Sequence, residues 1–169
     1  NLLGSATNQL GIVVDLDLRP EGKNGPMSRT IESHREYAQR WASTWERQAA
    51  VRARPIGEGS LADSARALFD ELAYGGVSES EVRDIRLLKA RMENERLPRG
   101  IEPARHVKLG PGGLTDVEWT IQLIQMRAGM NNPALSTPST TQAILSAREH
   151  ELISAQDAQT LLDAWDMAT

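Results

Sequence analysis

Hydrophobic residues recur every three or four positions over most of the chain, which is the spacing of one face of an α-helix. Helix-start signals support this pattern at Ser78 with Glu81, a capping box, and at Ser154 with Asp157. The apolar stripe of the last predicted helix continues up to the final residues before Thr169, so we expect this helix to continue in a longer protein. The predicted helices span about 30–54 (as one helix or two joined ones), 60–74, 78–97, 114–128, 139–149 and 155–169.

The helix predicted over 114–128 is apolar on two roughly opposite sides, which indicates that it packs between neighbours at the centre of a bundle. The tryptophans of the chain also fall on helix stripes, so we expect them in the core. One side of the helix holds Leu114, Val117, Ile121, Ile124 and Ala128, and the other holds Trp119, Leu123 and Met126.

Residues 12–18 are the one stretch with strict alternation and β-branched enrichment, and they predict a strand. Asp15 and Asp17 share one side of this strand, and Arg19-Pro20 ends it because proline lacks an amide donor. The predicted fold class is therefore mostly α, an α+β arrangement with one strand segment followed by a helical bundle.

Composition removes several classes of protein. The 169 residues contain no cysteine, which excludes disulfide frameworks and thiolate zinc sites. The net charge of −4 comes from residues 130–169, while the rest of the chain is balanced, so we expect no general nucleic-acid binding. No apolar run approaches the ~18 residues of a spanning helix, and no signal peptide is seen, so we expect no membrane partner and a cytoplasmic location.

Two acids provide the first candidate chemistry. On a strand, Asp15 and Asp17 would place their carboxylates on one face, about 6.5–7 Å apart along the backbone, where a divalent metal could sit between them. Alternating acids also mark the solvated face of an edge strand, so both interpretations stay open on this evidence.

A glycine-rich loop provides the second candidate. Residues 108–118 read Lys-Leu-Gly-Pro-Gly-Gly-Leu-Thr-Asp-Val-Glu, and glycines that lead into a helix can expose backbone amides to a phosphate. No Gly-Lys-Ser/Thr follows, so this is not a Walker loop. The alternative is a tight turn in which Asp116 and Glu118 complement the start of the helix.

Three segments in this order, 14–26, 45–55 and 108–119, resemble the glutamine-synthetase adenylyltransferase family. The resemblance implies a nucleotidyltransferase domain similar to that of DNA polymerase β, followed by a helical bundle, with two such units in one long cytoplasmic chain. One unit transfers AMP from ATP to a tyrosine of glutamine synthetase, and the other removes it by phosphorolysis. The segments are more similar to the adenylylating, C-terminal unit.

On this resemblance, residues 1–56 are the distal part of the nucleotidyltransferase domain and contribute the terminal strand of its sheet. Residues 57–169 are the helical bundle, truncated at its C-terminus. Glutamine synthetase and a PII-type signalling protein are the implied partners. Another possibility is a non-catalytic helical module, in which residues 60–169 dock glutamine synthetase or a PII-type regulator.

The resemblance also implies site residues for Mg²⁺ and ATP. Asp15 matches the third of three magnesium-binding carboxylates, Asp17 is its catalytic neighbour, and the first two carboxylates would lie upstream, so this piece is expected to be inactive alone. Arg52 and Arg54 are candidates for triphosphate contacts or for structural salt bridges. The residues implied to bind or border the nucleotide are Arg19, Lys23, Lys108, Gly112, Gly113, Asp116 and Glu118.

A competing fit uses Gly4-Ser5 as the turn that precedes the first carboxylate pair of this superfamily. Asp15 and Asp17 would then be that pair, and the chain would be a minimal nucleotidyltransferase. Asn8 and Gly11 argue against this fit because they lie where the signature expects a helix.

Overall fold

The computed structural model describes residues 15–98 and 100–169, and the chain divides into two compact units, Asn1–Ala42 and Ser43–Thr169. The domain boundary predicted between residues 56 and 57 differs from this division and stays a prediction. The described residues form seven α-helices and no strand, which confirms the helical character of the fold. The helices are α1 (Ile31–Arg40), α2 (Thr44–Ala50), α3 (Ser60–Tyr74), α4 (Glu79–Arg96), α5 (Leu114–Ala128), α6 (Thr140–Glu149) and α7 (Ala155–Ala168).

The strand predicted over 12–18 is wrong for residues 15–18, and its first three residues lie outside the described part of the chain. The side chains of Asp15 and Arg19 form hydrogen bonds with backbone groups that a strand would use to pair with its neighbour. The carboxylate of Asp15 accepts the N–H of Asp17 at 2.8 Å, and Arg19 donates to the carbonyl of Leu16. Aspartate commonly competes with regular structure in this way, so the alternation of acids here reflects a turn.

The periodic stretch 30–54 forms two helices because a second start signal lies inside it. Thr30 caps α1 by accepting the N–H of Ser33 at 3.1 Å. Ser43 then forms a capping box with Glu46, whose carboxylate accepts the N–H of Ser43 at 2.8 Å. The same chemistry begins α4 at Ser78 and Glu81, as predicted.

Helix α5 lies between two hydrophobic clusters, which confirms the prediction of a central helix. Val117 and Ile121 face the cluster formed with α6 and α7, whereas Met126 belongs to the cluster formed with α2, α3 and α4. Trp119 and Leu123 pack against this second cluster. The two apolar sides of α5 therefore each bury against a different set of helices.

The prediction that all tryptophans are core residues is wrong for two of them. Trp41 is 73% exposed and Trp45 is 43% exposed, whereas Trp119 and Trp165 are partly buried against the two clusters. Helical periodicity assigns residues to a face, but it does not say whether a neighbour covers that face.

Three buried glutamines form hydrogen bonds within the apolar core. Gln48 on α2 donates to the side-chain oxygen of Gln122 on α5 at 2.9 Å. Gln125, one turn along α5, donates to the carbonyls of Leu135 and Thr137 at 2.7 and 2.8 Å. Buried amides are costly unless they are paired in this way.

Arg47 joins three helices at one junction. Its guanidinium donates to the carbonyls of Leu72 and Gly76 at the end of α3 and to the carboxylate of Glu81 at the start of α4. Burial alone would raise the pKa of Glu81, but the hydrogen bonds from Ser78 and the charge of Arg47 hold it below its ordinary value. No helix among the described residues is long and apolar enough to cross a membrane.

Candidate functional site

The first candidate group lies in a turn formed by residues 15–25, which we call the acidic turn. Asp15 is exposed, and Asp17 forms ion pairs with Arg19 and Lys23, each at 3.7 Å. The structure thus brings together, within the first unit, four residues that the sequence marked as candidates.

Arg19 is the centre of the acidic turn. Besides Leu16, its guanidinium donates to the carbonyls of Gly25 at 3.0 Å and Lys23 at 3.1 Å. Its side chain is only 20% exposed, whereas that of Lys23 is 82% exposed. In this arrangement Arg19 shapes the turn, and Lys23 is the cation that a phosphate could reach.

Gly25 closes the acidic turn because a side chain would not fit there. A Cβ at this position would lie 2.0 Å from the carbonyl oxygen of Pro20. Glu21 and Gly22, which precede the closure, both adopt positive φ, at 64° and 56°. The turn is therefore fixed by backbone contacts as well as by Arg19.

The donor set of the acidic turn suits Mg²⁺ only in part. Carboxylates are the hard oxygen ligands that Mg²⁺ takes, but Asp17 already faces two cations. Among the residues that the structure describes, no group of three His, Cys, Asp or Glu side chains could hold a metal ion.

The second candidate group lies in residues 106–116, which we call the glycine loop, and it precedes and begins α5. Two backbone hydrogen bonds fasten the start of the helix to the loop: Leu114 donates to Val107 at 2.9 Å and Thr115 to Lys108 at 3.1 Å. The imidazole Nδ1 of His106 accepts the N–H of Leu109 at 3.0 Å. The loop is therefore a closed structure that is continuous with the helix.

The glycine N–H groups of this loop already have acceptors inside the chain. Gly110 donates to the carbonyl of His106 at 2.7 Å, and Gly113 donates to that of Gly110 at 2.9 Å. Gly112, at φ 75°, donates to the carboxylate of Asp116 at 2.6 Å. This is the tight turn that the sequence left open as an alternative to a phosphate cradle.

Asp116 also pairs with Lys89 on α4, which in turn pairs with Glu93 one turn along that helix. Burial lowers the pKa of Lys89, but its hydrogen bonds to the two carboxylates outweigh burial and raise that pKa above its ordinary value. These three side chains line one wall of a cavity of about 540 Å³, whose other walls include Leu97, Ile101, Leu109 and three prolines.

Glu118 performs a similar bridging role on the opposite side of α5. Its carboxylate lies 3.5 Å from Arg52, which also donates to the hydroxyl of Thr140 at the start of α6. The salt-bridge interpretation of Arg52 therefore agrees with its contacts. Arg54 and Lys108 are exposed, and Arg54 lines a small cavity of about 110 Å³.

Sequence reasoning did not identify Lys89 as a partner of the glycine loop, nor Arg47 as the junction of three helices. Lys89 and Glu93 are spaced i, i+4, which signals a pair on one helix. The link to Asp116 is 27 positions away along the chain and leaves no periodic trace. The same holds for Arg47, whose contacts lie 25 to 34 positions away.

Two families of known proteins match different parts of this chain. The family described as glutamate-ammonia ligase adenylyltransferase matches residues 1–68, and the family described as GlnD PII-uridylyltransferase matches residues 83–168. The curated relatives include bifunctional glutamine synthetase adenylyltransferase/adenylyl-removing enzymes from several bacteria.

The relative from Streptomyces coelicolor is 49% identical over 94% of this chain, which is 16% of that protein. That from Cutibacterium acnes is 46% identical over 98% of this chain and 17% of its own length. That from Mycolicibacterium smegmatis is 44% identical over 99% of this chain and 17% of its own length. The chain thus spans about one sixth of the relatives that it matches, and it belongs to the glutamine synthetase adenylyltransferase/adenylyl-removing enzyme family.

Proposed function

We propose that this chain is part of a cytoplasmic enzyme that transfers AMP from ATP to a tyrosine of glutamine synthetase, within its adenylylating unit. A paired unit of the same enzyme removes the AMP by phosphorolysis. The observation that carries this proposal is the similarity, over 94–98% of the chain, to enzymes whose names state both activities. A PII-type protein is the proposed regulator, which the name of the second matching family supports.

The reaction is a displacement at the α-phosphorus of ATP. The tyrosine oxygen forms a bond to phosphorus, the bond to the pyrophosphate oxygen breaks, and the phenolic proton leaves. Catalysis of such a step depends mainly on positioning and on neutralising charge. Magnesium, when bound, supplies that neutralisation at the phosphate oxygens.

Asp15 is the residue of the acidic turn that we propose as a magnesium ligand. Its carboxylate is exposed, and one oxygen accepts the N–H of Asp17. Asp17 is compensated by Arg19 and Lys23, so we propose that it holds the turn and supports catalysis from there. Lys23, with its ammonium exposed, is positioned to contact a phosphate.

The parts of the glycine loop have positioning roles in this proposal. Gly112 and Gly113 shape the turn, and Asp116 links it to α4 through Lys89. Glu118 links α5 to the start of α6 through Arg52 and Thr140. Lys108 presents an exposed side chain beside the loop. We propose that this surface borders the nucleotide site, as the resemblance to the family implies.

The test is Asp15→Asn in the full-length protein that contains this chain. Asparagine keeps a side-chain oxygen that can accept the N–H of Asp17, so the turn is preserved while the charge is lost. We expect AMP transfer to glutamine synthetase to fall by roughly 100-fold or more, since a ligand of the catalytic ion is removed. The change is measured as the rate of AMP incorporation from labelled ATP.

Asp163→Asn on α7 is the matched control, because Asp163 is an exposed aspartate outside both candidate groups. Full activity of Asp15→Asn would refute the role of Asp15. Absence of AMP transfer by the unmodified full-length protein would refute the proposed function itself.

A further inference from the structure

The cavity beside the glycine loop, of about 540 Å³, has the volume and the lining of a small-molecule site. Such sites combine mostly apolar walls with a few polar groups that fix the orientation of the ligand. Leu109 is buried and Ile101 is 43% exposed, so the cavity opens to solvent on the side of Ile101. Its apolar lining consists of Leu97, Pro98, Ile101, Pro103, Leu109 and Pro111.

The charged groups of this cavity indicate what it does not bind. Lys89 pairs with both Glu93 and Asp116, so among the described lining residues one cation faces two carboxylates. A wall with this excess of negative charge repels a phosphate, but it can accept hydrogen bonds from the amino group of a neutral molecule. The lining therefore suits a neutral, largely apolar ligand that carries an amino group.

Asn94, which follows Glu93 on α4, adds a group that can both donate and accept. It lines the cavity, it is exposed, and its side chain has no hydrogen bond to any residue that the structure describes. A primary amide accepts through its oxygen and donates through its nitrogen. This pair of groups matches the 6-amino group and the neighbouring ring nitrogen of adenine, which asparagine binds through two hydrogen bonds in other proteins.

We propose that this cavity holds the adenine base of ATP, with Asn94 bonded to the edge that carries the 6-amino group and the apolar walls against the ring faces. This inference rests on the proposed function, which supplies ATP as the substrate, and it names the residues that select the base. Lys108 directly precedes Leu109 of the wall and is exposed, so it provides a cation for the phosphates outside the cavity.

The experiment compares ATP with inosine triphosphate, in which an oxo group replaces the 6-amino group. It measures kcat and KM for each nucleotide during nucleotidyl transfer to glutamine synthetase by the full-length protein, and the KM for glutamine synthetase. Asn94→Ala removes the amide, and Asn131→Ala, at an exposed asparagine beyond α5, is its matched control. Ile101→Ser removes part of the apolar wall, and Ile56→Ser, at an isoleucine that is 90% exposed, is its matched control.

We expect the unmodified protein to favour ATP over inosine triphosphate at least about tenfold in kcat/KM, because an oxo group cannot donate to Asn94. Asn94→Ala should raise the KM for ATP about tenfold and abolish this preference. Ile101→Ser should raise the KM for both nucleotides and keep the preference, while the controls and the KM for glutamine synthetase stay unchanged. An unchanged KM for ATP and an unchanged preference in Asn94→Ala, with AMP transfer continuing, would overturn the proposal.

Photolabelling of the full-length protein with 8-azido-ATP tests the location of the base without relying on transfer. We expect adducts within residues 89–111, and we expect ATP to prevent them at lower concentrations than inosine triphosphate does. Adducts found only outside this segment would overturn the cavity as the adenine site. If the unmodified protein transfers no AMP, the proposed function fails, and the labelling still decides whether the cavity binds the base.

Discussion

The acidic turn and the glycine loop contain the same residue types, namely aspartates, glycines and lysines. They differ in the solvent exposure of the charged side chains. In the acidic turn, Asp17 is 49% exposed and lies 3.7 Å from each of its two cations. In the glycine loop, Asp116 is 32% exposed and contacts a lysine whose side chain is 24% exposed.

The difference separates residues that can bind a ligand from residues that hold the fold. Exposed ion pairs are screened by water and stabilise little, so their side chains can exchange partners. Paired groups that are partly buried lose far more when one partner is removed. A glycine-rich loop before a helix therefore indicates a phosphate site only if its N–H groups lack acceptors within the chain.

The largest expected effect is that of Gly110→Ala. A Cβ there would lie 2.1 Å from the carbonyl oxygen of Pro103, in a buried position. We expect the free energy of unfolding of the 169-residue chain to fall by about 3 kcal/mol, and Tm by roughly 10 °C, because backbone has to move. Circular dichroism during heating measures the change.

Gly25→Ala is the comparison, because its Cβ would meet the carbonyl oxygen of Pro20 at 2.0 Å in the acidic turn. None of the residues of α1, which lies in the described part of that unit, is buried. We therefore expect faster trypsin cleavage after Lys23 and Arg29 with little change in the melting of the bundle. Equal losses of Tm in both variants would contradict the difference in depth.

The intermediate effect is that of Lys89→Met, which keeps the length of the side chain and removes its charge. Asp116 and Glu93 would then face each other without a cation, so we expect a loss of about 2 kcal/mol in chemical denaturation at neutral pH. Lys89→Arg should retain part of the stability. A loss below about 0.5 kcal/mol would show that the ion pairs of Lys89 stabilise the fold no more than exposed surface ion pairs do.

The pH dependence of the same variant has a definite sign. The pKa of Lys89 is raised in the folded chain, so its stabilisation is complete below the ordinary value of 10.5 and fades as pH rises through the folded pKa. The difference in unfolding free energy between the unmodified chain and Lys89→Met should therefore shrink above about pH 10.5. A difference that grows with pH would show that Lys89 acts otherwise.

The smallest effect is expected for Lys23→Ala, since its side chain is 82% exposed and its carboxylate partner is 3.7 Å away. We expect less than about 0.5 kcal/mol of change in chemical denaturation. In the full-length protein the same variant should raise the KM for ATP severalfold if Lys23 contacts a phosphate. An unchanged KM would leave Lys23 without that role.

The helices could be predicted because their signals are local. The capping residues Ser78 and Ser154 fix where α4 and α7 begin, and the two apolar sides of α5 predicted its central position. Local signals failed at residues 15–18, because alternating aspartates occur both on strands and in turns, and only pairing with another strand distinguishes them.

The candidate sites depended on contacts between distant parts of the chain, which periodicity does not record. Nothing near Asp116 in the sequence points to Lys89, and nothing near Glu118 points to Arg52. The exposure of Trp45 was missed for the same reason, since no pattern in α2 tells whether another helix covers it. The sequence therefore identified the motifs, and the structure showed which distant residues their side chains contact.

The buried glutamines of α5 have a consequence for how this helix is oriented. A helix that is apolar on opposite sides gains nearly as much from burial after turning about its axis, so hydrophobic packing alone leaves its rotation weakly specified. Any rotation would separate Gln122 from Gln48 and Gln125 from the carbonyls of Leu135 and Thr137. The hydrogen bonds of these amides therefore favour one rotation of α5 about its axis. In this way they fix the direction in which the side chains of Asp116 and Glu118 leave the helix.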